Sequence, residues 1–132
     1  MSLKLILTIN GLVAMSFALM FIAIPDQAMA PYGAVGLPDS ALTMARWFGS
    51  AIVGYAALSW FARDLPPSDG LRVIVMSLAV AWAVLGLMGL YAVLTGRVNV
   101  LGWSNVALDL GLSALLGWHL PPKRVSTPSA TA

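Results

Sequence analysis

Two opposite charges, Arg46 and Asp109, lie inside long apolar stretches of this chain. A charge in apolar surroundings must be neutralised, hydrogen-bonded or paired, because its desolvation is costly. Asp109 belongs to a four-residue repeat, Asn105, Asp109 and Ser113, which puts all three on one face of a helix. Arg46, Ser50 and Gly54 follow the same spacing, and Asn10 beside Gly11 is the remaining strongly polar residue of this kind. Residues of these types could form a polar network that sets helix register, or a polar path for a proton or small solute. Other chemistry is poorly supplied. The chain has no cysteine and one histidine, His119. A nucleophile–base–acid triad, a zinc or iron–sulfur site and bis-histidine haem ligation all lack their ligands. No Gly-rich phosphate loop precedes a basic residue. The expectation is a protein that is not an enzyme, with no cofactor and no metal.

The elements that must position these residues follow from composition. Of 132 residues, 60% are hydrophobic and 9% charged, and the mean hydropathy is +0.90. A soluble domain carries about 25% charged residues, so seven basic and five acidic side chains are too few for a water-facing surface. The net charge of +2 comes from scattered bases rather than a patch, so nucleic acid is not an expected partner. A hydrocarbon core of about 30 Å needs roughly 20 apolar helical residues. Four stretches qualify, at about 3–24, 41–62, 71–94 and 100–120. They run continuously apolar rather than alternating, which argues against a β-barrel. The predicted fold class is all-α: a four-helix transmembrane bundle over residues 1–120, followed by a disordered cytoplasmic tail over 121–132.

Prolines and polar residues suited to helix caps mark the span ends. Pro25-Asp26 closes the first span, Asp39 or Ser40 is placed to cap the second, Ser68 or Asp69 the third, and Pro121-Pro122 stops the fourth. Ala28-Met29-Ala30 has the small residues of a signal-peptide cleavage site. The apolar run before it is too long and its basic flank too weak, so the first span is read as a retained helix. Short connections make consecutive helices antiparallel neighbours. The connection over residues 25–40, rich in Pro and Gly, reads instead as an outer turn lying on the membrane surface. Lys4, Arg63, Arg72, Lys123 and Arg124 fall on one side and Arg97 on the other, so both termini are predicted to be cytoplasmic. Trp47, Trp60, Trp103 and Trp118 fall near span ends, where amphipathic rings meet headgroups, whereas Trp82 is near mid-span and reads as a packing residue.

Arg46 lies roughly 7 Å below the outer end of its span and Asp109 roughly 13 Å. Arg46 is shallow and long enough to snorkel, whereas Asp109 is short and cannot. Their depths differ by roughly 6 Å, so pairing of the two is possible, with Asn105 an alternative partner for Arg46. Asn10 is expected in an interhelical hydrogen bond, and Gly86 and Gly89 as packing notches.

The stretch Ala45-Arg46-Trp47-Phe48-Gly49-Ser50-Ala51, with Gly54, Trp60 and Ala62-Arg63 after it and Pro25 and Tyr32-Gly33 before it, resembles a pattern in small bacterial inner-membrane proteins. These are uncharacterised four-helix proteins, loosely similar to the DoxX-like group. The resemblance covers the first half of the chain. It implies four helices and a bacterial inner membrane, and it transfers no activity. Small multidrug-resistance transporters carry an acidic residue in the first helix, where this chain has only Asn10, and the motifs of fluoride channels are absent.

Three functions are consistent with this reading. The first is a non-enzymatic subunit that assembles with itself or with a larger membrane complex through its helix faces. The second is a small transporter or channel using Asp109, with Arg46, Asn105 and Ser113 in the polar path. The third is a binder of a hydrophobic molecule, such as a quinone, sterol-like lipid or pigment, among Trp82, Tyr55 and the methionines.

Overall fold

A computed structural model of the chain describes residues 1–122. The regular elements among them are all helical, with no strand: α1 (Leu3–Ala23), α2 (Pro25–Met29), a 3-10 turn (Ala30–Tyr32), α3 (Asp39–Ala62), α4 (Asp69–Leu94) and α5 (Gly102–Trp118). Of the tail expected to be disordered over 121–132, residues 123–132, with the bases Lys123 and Arg124 used to orient the chain, lie outside the described residues.

The helix boundaries follow local chemistry. Ser2 and Ser68 cap α1 and α4, their hydroxyls accepting from the amides of Leu5 at 3.3 Å and Leu71 at 3.1 Å. Neither Asp39 nor Ser40 caps α3. The helix begins earlier, at Asp39 itself, after Pro38 in extended conformation. Asp39 thus sits in the first turn, where its charge complements the positive helix end. Pro25 opens α2 at the first helical position, where its missing N–H costs nothing. Gly33 ends the 3-10 turn at φ 92°, a left-handed conformation that a side chain disfavours.

Two helices are long and apolar enough to cross a membrane, α1 with 21 residues and α4 with 26. At about 1.5 Å per residue they measure about 32 and 39 Å. α3 has 24 residues, but Arg46 and its small and polar neighbours dilute the apolar run, and α5 has only 17 residues.

The four long helices form two antiparallel hairpins, α1 with α3 and α4 with α5. Within each hairpin the packing is dense; between hairpins, α1 meets α5 and α3 meets α4 only sparsely. Small residues let α1 and α3 approach closely. A Cβ on Gly49 would lie 2.9 Å from the Ala18 carbonyl oxygen and 2.9 Å from Phe21 Cβ. Ala14, Ala18, Ala45 and Ala56 are buried in the same contact. In the second hairpin Gly86 and Gly89 are the notches, receiving Leu110 and Val106. Across the first hairpin, buried Asn10 donates to Ser59 Oγ at 2.6 Å, and Ser59 donates onward to the Tyr55 carbonyl at 2.7 Å.

Each hairpin is also tied at its end. Lys4 Nζ lies 2.6 Å from the Asp64 carboxylate, joining the start of α1 to the end of α3. Arg63 stacks on Trp60, its guanidinium carbon 3.4 Å from the ring centroid. Arg72 donates to the Pro121 carbonyl at 2.5 Å, closing the same end of the second hairpin.

Candidate functional site

The loose seam between the hairpins leaves a cavity of about 90 Å³ to which all four long helices contribute. α1 supplies Phe17 and Phe21, α3 Phe48 and Ile52, α4 Trp82 and Leu85, and α5 Asn105 and Asp109. The spacing of Phe17 and Phe21 by four residues puts both on the same face of α1. Phe21 meets Phe48 edge to face, with ring centroids 5.3 Å apart and planes at 86°. The cavity is therefore aromatic on several sides and polar only where α5 faces it.

Gly86 positions the polar wall. A Cβ there would lie 2.6 Å from Leu110 Cδ2 and 3.3 Å from Asp109 Cβ, so its absence lets this turn of α5 settle against α4. One turn below Asp109, Ser113 donates to the Ala79 carbonyl at 2.8 Å and ties the two helices together. One turn above, Asn105 Oδ1 accepts from the Tyr32 hydroxyl at 3.0 Å. Asp109, between these two anchored residues, has no hydrogen bond or ion pair with any described residue. Trp82 is only 4% exposed, and its indole N–H is buried without a hydrogen-bond partner. One cavity is thus lined by a carboxyl group and by an indole whose donor is unsatisfied.

A second space of about 200 Å³ adjoins the first, sharing Phe21 and Asn105 and reaching Met29, Tyr32 and Ala34 of the 25–40 connection. That connection is held against the α4–α5 turn. Asn99 donates from its amide side chain to the Pro31 carbonyl at 2.7 Å and from its backbone to the Tyr32 carbonyl at 3.2 Å. The Tyr32–Asn105 hydrogen bond stands where the two spaces meet.

No family model, curated protein or solved structure matches this chain. The site therefore rests on its own geometry.

The six polar residues singled out from the sequence do not form a single network. Asn105 and Asp109 share the cavity, with Ser113 below them in the α4–α5 contact. Asn10 lies elsewhere, bonded to Ser59 between α1 and α3. Arg46 is exposed and does not pair with Asp109; Ser50 donates only to the Arg46 carbonyl, at 2.9 Å. The physical reason is the helix face. Ala45, Gly49 and Ile52 turn inward on α3, and Arg46, rotated by about 100° from Ala45, turns out. The close approach of α3 occurs at Gly49, against α1, while Gly54 has open space around its Cβ position.

Several site residues escape a sequence reading. The three phenylalanines read as filling, and only the meeting of separate helices makes them walls. Trp82 is buried, as a packing residue should be, and it also lines the cavity. Tyr32 and Asn99 sit in turns, and nothing in their spacing links them to each other or to Asn105.

Proposed function

We propose that this chain is a multi-pass membrane protein whose four long helices form a transmembrane bundle enclosing a site for a small molecule. The cavity carries the proposal: a small-molecule site is typically concave and mostly apolar with a few polar groups, and Asp109 and Trp82 meet there. An interior carboxyl without a protein partner is satisfied by something that enters. The protein is not an enzyme in this reading, and Asp109 acts by recognition.

The membrane setting is supported by the surface. Leu12, Leu19, Phe61, Val80, Leu87 and Met88 are each more than half exposed, and such apolar coverage marks contact with lipid or protein. Trp47, Trp60, Trp103 and Trp118 are 43% to 86% exposed near the helix ends, in the manner of an aromatic belt. Lys4, Arg63 and Arg72 gather at one end of the molecule, which supports cytoplasmic termini by the positive-inside rule. The bacterial inner membrane follows the resemblance of the Ala45–Ala51 stretch. The 25–40 connection then faces outward, and the second space opens toward that side. Single cysteines at Gly33 or Gly36 test this, because the chain has no cysteine of its own; labelling only from the cytoplasm would reverse the assignment.

The direct test of the site is mass spectrometry of ligands retained through mild purification, paired with flux or binding in liposomes for Asp109→Asn. Equal transport or binding by that variant would remove Asp109 from the function.

One observation favours a second reading, assembly with itself or with a larger complex. Arg46 is exposed on α3 beside Trp47, without an ion pair among the described residues. An Arg at this depth either snorkels to headgroups or meets an acid on another chain. Native mass spectrometry of the wild type and Arg46→Gln separates these, since only a paired Arg46 supports an oligomer that the substitution weakens.

A further inference from the structure

We propose that the interior site is selective for a small organic cation of the alkylammonium type; this rests on the small-molecule reading above.

The cavity walls favour positive charge. Phe17, Phe21, Phe48 and Trp82 come from three helices and line one space. The right-angle contact of Phe21 with Phe48 means that their ring planes differ in direction. An aromatic face carries negative potential and attracts an ammonium group within about 6 Å of its centroid. Asp109 adds a carboxyl to the same wall, and no Lys, Arg or His lines the space. Arg46, the basic residue of α3 nearest in sequence to Phe48, faces outward. Asn105 Oδ1 already accepts from Tyr32.

Other occupants fit less well. An anion meets the Asp109 carboxyl with no Lys, Arg or His on the wall to compensate it. A hard metal ion needs six or more oxygens, and the described residues hold no group of three metal-ligating side chains. A neutral molecule gains no charge attraction from an aromatic face and supplies no counter-charge to an ionised Asp109. The volume of about 90 Å³ is below the ~150 Å³ of a cavity known to admit benzene. A trimethylammonium head, about the size of benzene, therefore reaches past Phe21 and Asn105 into the adjoining space of about 200 Å³.

The test uses the full chain in nanodiscs with two probes of the same shape, choline and its neutral isostere 3,3-dimethylbutan-1-ol, at matched ionic strength. Saturable change in tryptophan fluorescence reports binding, and Trp82→Phe identifies the reporting ring. We expect choline to bind at least about tenfold tighter than the isostere. Asp109→Asn should erase the difference and Asp109→Glu should keep most of it. The comparison of probes on the wild type stands even if a variant fails to fold. Equal affinity for both probes overturns cation selectivity and leaves the small-molecule reading intact. No saturable response to either also overturns it. In that case, protection of a Leu85→Cys thiol by a co-purifying molecule decides the small-molecule reading separately.

Discussion

The Tyr32 hydroxyl donates to Asn105 Oδ1 at 3.0 Å, joining residues 73 positions apart. Tyr32 ends the short 3-10 turn of the 25–40 connection, and Asn105 belongs to both the cavity and the space above it. The bond therefore holds the connection over the route to Asp109. Tyr32→Phe keeps the ring and removes the donor. The cavity should become more accessible, with a Leu85→Cys thiol reacting several-fold faster with a small water-soluble thiosulfonate. An unchanged rate would show that Tyr32 does not guard the route.

Asn10 and Ser59 make the corresponding buried contact in the first hairpin. Ser59→Ala leaves the Asn10 amide without its acceptor at a position with no exposure to solvent. The expected loss is about 1–2 kcal/mol in reversible unfolding from mixed micelles. Asn10→Leu should cost less than Ser59→Ala, because an apolar side chain leaves no orphaned amide.

Gly49 and Gly54, only five residues apart, should respond oppositely to alanine. At Gly49 the new methyl meets the α1 backbone at 2.9 Å, and the hairpin must open. A destabilisation of about 1–3 kcal/mol is expected. At Gly54 the methyl meets nothing within 4 Å, so alanine should stabilise the helix by up to about 1 kcal/mol. Thermal unfolding of the two variants side by side checks both signs.

Asp64 should show acid-linked behaviour. The hydrogen bond from Lys4, then that from Arg63, holds its carboxyl below the usual 3.8. A folded value below the unfolded one adds stability that is fully present above the ordinary carboxylate range. That stability is lost as pH falls through the lower folded value. The pair is exposed and its contribution correspondingly small. A carboxyl-detected NMR titration should place the Asp64 midpoint below 3.8, and Lys4→Gln should move it upward; a midpoint at or above 3.8 contradicts the contact.

Asp109 should behave in the opposite sense to Ser59 when replaced. It makes no hydrogen bond or ion pair with a described residue, so Asp109→Asn removes no protein contact and relieves an interior charge. Stability should stay level or rise while ligand binding falls. A large loss of stability with binding intact would assign Asp109 a structural role instead.

The sequence by itself determined the class of structure and the positions of its long helices. Their apolar runs are local and continuous, and Ser68 and the prolines mark their ends within a few residues. It also pointed to Asp109, because a short acid in an apolar run is anomalous without reference to any neighbour. The partners required tertiary structure. Depth along a helix is nearly readable from sequence, but the direction a residue faces depends on which helix it packs against. Arg46 and Asp109 have compatible depths, yet α3 turns Ala45, Gly49 and Ile52 inward and leaves Arg46 outside. Ser59, Tyr32 and the three phenylalanines gain their roles in the same way. Close packing at Gly49 and Gly86 sets how each hairpin sits, and the sparse contact between hairpins leaves the space in which Asp109 and Trp82 meet.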